Sequence, residues 1–400
     1  MKIELLRKRE DFEVIFRDSL SKFIGNYLGD VCQVVQGDGL CNKFLVNEYL
    51  NLIYPATIKR NQLTTLTQEF LWNESFYRRL LQKIYVYFAV RWPFEIFARS
   101  NVLSISGCST SLHGWVFIPG NHSIRIIDLV NNQCIVFYKQ GFNKSFFLMD
   151  VEVREKYLLP YVPKIIDKNI ENGWYKEDRI TGLPLNRLRC VEDRGRAFGK
   201  ACESLRYLYA KKITYHRLDD YLSTVSDKIE TVLKSSFVEI PHDSYHQIKC
   251  VKSWLEDVLK EYANKEVVTV LTHGDFQPAN ILYDVESEDC WLIDWEYASA
   301  RSVFYDALVF DLQARANRGL SKRFAGYLSE LEGGEVFCAW TQFSLTENNS
   351  YYLTLFMLED LLVKLEEVAV PAIANKLGSL KPWLDEVISI QRSLLKSEYN

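Results

Sequence analysis

Three oxygen-bearing side chains set the chemistry this chain can do. In the run Leu271-Thr272-His273-Gly274-Asp275-Phe276-Gln277-Pro278-Ala279-Asn280, Asn280 follows Asp275 by five residues, and Asp294 follows it by nineteen, within Trp291-Leu292-Ile293-Asp294-Trp295-Glu296. Amide and carboxylate oxygens are the hard ligands that Mg²⁺ prefers. A further carboxylate can orient a hydroxyl and take its proton. Together they suit phosphoryl transfer, which asks a protein for alignment and charge neutralisation more than for covalent chemistry. A lone Asp at a strand end is ordinarily a cap or turn residue; the joint occurrence in this order reads as an active site.

The order and spacing match a protein-kinase catalytic loop, where an Asp accepts the acceptor's proton and an Asn and a second Asp hold Mg²⁺. The wording His-Gly-Asp-x-x-x-x-Asn with Ile-Asp-Trp-Glu resembles the aminoglycoside phosphotransferase and choline kinase group of kinase-like small-molecule kinases. Tyr305-Asp306 looks like the family's buried Asp that braces the catalytic loop. Gly182-Leu183-Pro184-Leu185 and Val162-Pro163 resemble its turn after the hinge and its step after the first helix of the small lobe. The resemblance spans roughly residues 100 to 310. It implies an α+β, bilobal protein kinase-like fold, with ATP and Mg²⁺ as cofactors. Asp275 is then the catalytic residue, Asn280 and Asp294 the metal ligands, and His273 and Asp306 structural supports. Gln277 and Glu296 lie near enough in sequence to touch acceptor or metal, and no role is assigned to them. A catalytically silent kinase-fold module that binds a nucleotide or a partner is the competing reading.

With 400 residues, 48% hydrophobic and 25% charged, the chain can build one large core or two modest ones. A net charge of −4 gives no pull toward nucleic acid. The nine cysteines are odd in number, scattered and never Cys-x-x-Cys, so they read as buried thiols in a reducing compartment, without a disulfide framework or zinc site. The N-terminus has acidic residues and no apolar run, unlike a signal peptide. A cytoplasmic location is expected.

The elements that must position these residues fall into three stretches. Residues 1–99 read as a helical N-terminal extension. Residues 100–179 read as a small nucleotide-binding lobe of short β-rich runs, with turn signals at Pro119-Gly120-Asn121 and Asn131-Asn132. Residues 180–400 read as a mainly helical large lobe, with a strand at Val267 to Leu271 leading into the catalytic loop and helices at Tyr351 to Val368 and Leu380 to Leu394.

In the small lobe, the resemblance makes Cys134 to Lys139 the strand whose lysine contacts the α- and β-phosphates. Glu152 is the carboxylate chosen to hold Lys139, with Asp150 and Glu155 as alternatives. Gly120 and Asn121 are chosen for the turn over the phosphates, in preference to the loop from Gly107 to Gly114. Neither loop has the Gly-x-Gly-x-x-Gly pattern.

Arg301, Arg315, Arg318, Lys322 and Arg323 follow the metal-binding turn among few acids, which points away from a polycationic aminoglycoside and toward a neutral or anionic acceptor. The leading acceptor class is a saccharide or glycolipid of envelope glycan or lipopolysaccharide assembly; an amino alcohol or aminoglycoside is the alternative. Residues 75–99 mix aromatic side chains with Arg78, Arg79, Lys83 and Arg91, while the apolar core from Ile84 to Val90 is far short of the roughly 20 residues that span a bilayer. A helix packed on the body of the protein is preferred there, because the aromatics occur all round it. The other reading is a peripheral contact with the inner face of a membrane.

Overall fold

The computed structural model describes residues 2–37, 42–67, 76–89, 99–108, 110–235, 240–316, 318–332, 336–337, 343–375, 377–378 and 380–397. Cys41, Arg91, Trp92, Phe94, Phe97 and Cys338 lie outside them. The chain divides into two compact units, the first formed by Met1–Val151, Pro163–Arg194 and Tyr283–Asp289, the second by Glu152–Val162, Gly195–Leu282 and Cys290–Asn400.

Nine antiparallel strands carry the first unit. In chain order they are β1 (Gln33–Gln36), β2 (Lys43–Asn47), β3 (Leu52–Pro55), β4 (Asn101–Ser106), β5 (Trp115–Pro119), β6 (Ser123–Asp128), β7 (Gln133–Tyr138), β8 (Ile165–Asn169) and β9 (Trp174–Asp178). In space they run β1-β4-β2-β3-β5-β6-β7-β9-β8. The N-terminal hundred residues are therefore not purely helical: between α1 (Ile3–Arg9), α2 (Phe12–Leu28), α3 (Arg60–Leu66) and α4 (Phe76–Ala89) they lend three strands to the sheet. The sequence disguises those strands. β3 is buried at every position and β2 at four of five, so neither shows the polar alternation that marks a half-exposed strand.

Each face of this sheet has its own cover. Asp11 accepts the Val14 amide at the start of α2, and Gly29 ends the helix at φ 75°. Phe12, Phe16, Leu20, Phe23 and Ile24 lie on one face of α2 and pack on Phe117, Ile124, Ile126, Ile135, Phe137 and Trp174. Fully burying each such side chain contributes roughly 1.5–3 kcal/mol. On the opposite face, Phe147 and Val151 of α5 (Lys144–Tyr157) pack on Cys134, Val136 and Tyr175. Along β7 successive side chains thus alternate between the α2 side and the α5 side, as strand geometry requires.

The cysteine reading needs correction. Cys32 and Cys108 form a disulfide beside β1 and β4, with Cα atoms 5.6 Å apart. Cys134, Cys202 and Cys290 are buried free thiols, but Cys190 and Cys250 are exposed. The cysteines therefore do not argue for a reducing compartment.

The second unit is mainly helical. α6 (Val191–Tyr209) precedes β10 (Ile213–Arg217), α7 (Leu218–Leu233) and α8 (His242–Lys260). β11 (Glu266–Thr272) is the middle of a three-stranded antiparallel sheet between β10 and β14 (Ser299–Ser302). Its sequence, EVVTVLT, is β-branched and nearly continuous in its apolar run because the strand is largely covered. The short strands β12 (Ile281–Tyr283) and β13 (Cys290–Leu292) follow the catalytic stretch, and α9 (Tyr305–Asp311) follows β14. α10 (Leu320–Glu332), α11 (Tyr351–Val368) and α12 (Leu380–Ser397) complete the unit, with α11 packed among α7, α8 and α12. No helix among the described residues is long and apolar enough to cross a membrane.

Candidate active site

The central strand of the second unit delivers the site. β11 ends at Thr272, and Gly274 turns the chain at φ 84°, where a Cβ would collide with the Tyr297 carbonyl oxygen. That turn is locked from beneath. The Asp306 carboxylate, fully buried at the start of α9, accepts the backbone N–H of His273 at 2.7 Å, that of Gly274 at 2.8 Å and the Tyr209 hydroxyl at 2.8 Å. His273 lies 3.0 Å from the Ile293 carbonyl through Nε2, while its Nδ1 accepts the Asp275 amide at 3.2 Å. One neutral tautomer, protonated at Nε2, satisfies both partners. Both ring nitrogens are thereby engaged in bracing the loop.

Asp275 is held by three donors. Arg315 Nε reaches Oδ1 at 2.8 Å, while Gln277 Nε2 and Asn280 Nδ2 reach Oδ2 at 2.7 and 2.8 Å. An ionised carboxylate offers about four acceptor positions, so three fixed donors leave room for one more. Among the described residues, no side chain fills it. Arg315 is itself anchored: Nη1 donates to Asp360 at 2.6 Å and Nη2 to the Gly274 carbonyl at 2.9 Å. Asp360 is fully buried and also accepts the Tyr305 hydroxyl at 2.9 Å and Trp383 Nε1 at 2.8 Å. Burial alone would raise the Asp360 carboxyl, but the charges of Arg315 and Lys364 outweigh it and hold it below its ordinary value. Burial, reinforced by Asp360, pushes the Tyr305 phenol well above its ordinary value and keeps it a neutral donor.

Sequence reasoning missed this network. It read Arg315 as one of a basic surface cluster and gave no role to Asp360, Tyr305, Trp383 or Tyr209. A signal existed in YYLTLFMLEDLL, residues 351–362, where two acids stand in an otherwise uncharged, mostly apolar run. Such acids must be paired if the run is buried. The neighbouring Glu359 is paired too, with the Ser302 amide and hydroxyl and the Tyr221 hydroxyl.

Asn280 and Asp294 stand on adjoining turns, joined by a backbone bond from the Ile293 N–H to the Asn280 carbonyl at 3.0 Å. The Asn280 amide nitrogen is committed to Asp275, through its backbone oxygen at 2.9 Å and its carboxylate, which directs the amide oxygen elsewhere. Asp294 adopts the left-handed conformation at φ 74°, uncommon outside Gly, Asn and Asp and frequent at functional turns. No group of three or more His, Cys, Asp or Glu suited to a metal occurs among the described residues. One carboxylate and one amide oxygen nevertheless fit Mg²⁺, which usually takes only one or two protein carboxylates and completes its shell with phosphate and water.

The first unit departs from the expected arrangement. Lys139 pairs with Glu10 at 2.5 Å, and not with Glu152. Residues of odd number on β7 face α2, and Lys139 continues that parity onto the side where Glu10 ends α1, whereas Glu152 belongs to the helix covering the other face. Glu152 is 62% exposed in its side chain and lies 3.7 Å from Lys156. Lys139 is 1% exposed, so its ammonium is enclosed by this pairing and does not present itself to a phosphate. Asp150 bonds the Tyr175 hydroxyl at 2.6 Å. Gly120 and Asn121 form the β5–β6 turn; the Gly120 amide bonds the Ser123 carbonyl at 2.9 Å, and Arg9 donates to the Asn121 carbonyl at 2.7 Å. Glu10→Ala should cost about 3–5 kcal/mol in denaturant unfolding, because it strips the carboxylate from a buried ion pair. An unchanged unfolding midpoint would show that Lys139 is accommodated some other way.

The basic cluster also needs correction. Arg301 is buried, with Nη1 on Thr272 Oγ1 and the Tyr297 carbonyl. Arg315 serves Asp275, and Arg323 donates to the carbonyls of Leu312, Gln313 and Arg318. Only Arg318 and Lys322 of the five are exposed. The cluster therefore says little about the acceptor.

Residues 200–312 match the family model described as choline/ethanolamine kinase. No curated protein sequence matches the chain. Among solved structures, it is similar to the choline kinase LicA of Streptococcus pneumoniae at 16% identity and TM-score 0.41, over 72% of this chain and 92% of that one. A choline/ethanolamine kinase family protein of Mesorhizobium loti aligns at 15% identity and TM-score 0.39, over 72% and 84%. An aminoglycoside phosphotransferase of Streptomyces rimosus, solved with ADP and streptomycin, aligns at 17% identity and TM-score 0.38, over 62% and 92%. The fold is α+β, and residues 200–312 carry the resemblance to the choline/ethanolamine kinase family model.

Proposed function

We propose that this chain is an Mg²⁺-dependent phosphotransferase that moves the γ-phosphoryl group of ATP to a hydroxyl of a small molecule. The observation that carries the reading is Asp275, its carboxylate fixed by Arg315, Gln277 and Asn280 with one acceptor position left. That position suits an acceptor O–H, which Asp275 orients for attack on the γ-phosphorus. The new P–O bond forms as the bond to the ADP oxygen breaks, and the hydroxyl proton passes late to Asp275. Asn280 and Asp294 would hold Mg²⁺, which when bound supplies neutralisation of the phosphate charge. Asp306 and His273 keep the loop in place but do not touch reactants. Gly120 and Asn121 remain our choice for the phosphate-covering turn, although the Asn121 carbonyl is already engaged by Arg9.

For the acceptor we propose a saccharide or glycolipid, of the kind used in envelope glycan or lipopolysaccharide assembly. Support comes from a cavity of about 600 Å³ lined by Arg318, Ser321, Asn375, Lys381, Asp385 and Ser389, among others. Two bases, two acids (Asp385 and Glu386) and several hydroxyl or amide groups line it, a surface suited to a polyhydroxylated ligand. A screen of ATP consumption against monosaccharides, envelope glycolipids, choline, ethanolamine and aminoglycosides tests this. Saccharide or glycolipid is expected to react; a strong aminoglycoside signal would overturn the acceptor and leave the catalytic reading intact.

One observation favours a catalytically silent nucleotide- or partner-binding module: the enclosure of Lys139 by Glu10. Thermal shifts separate the two readings, because a ligand that binds only the folded state raises its stability by mass action. Mg²⁺-dependent stabilisation by ATP is expected in the wild type and should vanish in Asp294→Asn, which removes a charge but little volume. Equal shifts with and without Mg²⁺, or an unchanged response in the variant, would sink the metal assignment.

A further inference from the structure

We infer that α4 is an interfacial helix that docks this chain on a lipid surface carrying anionic headgroups. Most of its apolar side chains are exposed. Phe76, Tyr77, Leu80, Leu81, Ile84 and Phe88 are all exposed, Tyr77 at 77% and Phe76 and Leu81 at 65% each. With 3.6 residues per turn, these six fall within an arc of about 140°. Tyr87 is exposed within the same arc. The helix is held to the sheet from the opposite side, where Val86 and Ala89 are buried and Tyr85 packs against the core of Leu45, Leu52 and Val116. Aromatics therefore do not ring the helix evenly: one side seats it, and the other offers a contiguous apolar strip to solvent. Isolated exposed hydrophobics need no explanation, but a one-sided strip of this kind marks an interaction surface.

Charge identifies the occupant. Arg78 borders the strip on one flank, and Arg79 and Lys83 border it on the other, so cations stand on both edges. The helix itself, Phe76–Ala89, contains three basic residues and no acidic one, with Glu74 and Glu95 beyond its ends in sequence. A protein groove that takes an amphipathic helix would be matched by any mixed set of rim charges. A bilayer interface instead wants bulky rings and leucines at the headgroup boundary and cations, unopposed by carboxylates, toward lipid phosphates. The helix has 14 residues and so lies on a membrane without crossing it.

Vesicle co-sedimentation of the full chain tests the proposal, with phosphatidylglycerol-containing vesicles against pure phosphatidylcholine at low and high salt. Wild type should bind the anionic vesicles, more weakly at high salt. Arg78→Gln and Lys83→Gln should each weaken binding about fivefold, and Leu81→Glu with Phe88→Glu by more than tenfold. These positions are exposed, so thermal melts should stay at the wild-type value. No binding to anionic vesicles overturns the inference, as does binding that the Leu81→Glu, Phe88→Glu variant retains. A wild type that is dimeric by light scattering, with a monomeric variant, would equally overturn it by assigning the strip to a second copy of this chain.

Discussion

Asp275→Asn is expected to lower turnover by about 10² to 10⁴-fold, the usual worth of a positioned general base, while leaving the Mg²⁺-dependent thermal shift with ATP in place. Asparagine keeps the shape of the carboxylate and one acceptor oxygen, so the loop braced by Asp306 should persist. It cannot take the acceptor's proton, and its amide group meets Arg315, Gln277 or Asn280 donor to donor. Single-turnover kinetics with the acceptor found by screening would read the loss directly. Full turnover in the variant would move the proton to another residue and remove the main support for the mechanism. A variant that no longer unfolds cooperatively would reveal a structural role; Asp275→Glu then discriminates, since it restores the charge but displaces it.

Arg315→Met should be the most damaging of the supporting substitutions. It leaves the buried Asp360 and the nearly buried Asp275 without their shared cation, and breaking a buried pair from one side costs about 3–5 kcal/mol. Denaturant unfolding would show a lowered midpoint with an unchanged slope. Turnover should fall as well, because Asp275 loses the donor that fixes Oδ1. Arg315→Lys keeps the charge but not the fork that reaches Asp275, Asp360 and the Gly274 carbonyl at once, so part of the stability should return and little of the turnover. Equal stability of Arg315→Met and wild type would mean that the network is not energetically coupled. Asp360→Asn, alone and combined with Arg315→Met, measures that coupling as a double-mutant cycle.

The same residues show what a sequence can and cannot tell. Strand β11, the turn at Gly274 and the order Asp275, Asn280, Asp294 were legible because their information is local. A β-branched run makes the strand, a glycine permits the left-handed turn, and a five-residue offset keeps Asp275 and Asn280 on one turn, with Asp294 on the adjoining one. α11 and α12 were legible for the same reason, since apolar periodicity within one helix needs no knowledge of its neighbours. Lys139 and Glu10 are 129 positions apart. Their pairing depends on which sheet face the end of β7 presents and on α1 and α2 folding back over it, and neither is encoded within a few residues of Lys139. Arg315 likewise looked like surface charge because its acids, Asp275 and Asp360, come from distant segments. Strands β2 and β3 of the N-terminal hundred residues were hidden because burial on both faces erases the polar alternation that marks a strand. Around α4, composition alone suggested rings on every side, and only the packing of Val86 and Ala89 against the sheet decided which side is left to solvent. Local chemistry was thus written in the order of the chain, whereas the partner of each buried charge and the face of each helix were decided by tertiary contacts over long sequence separations.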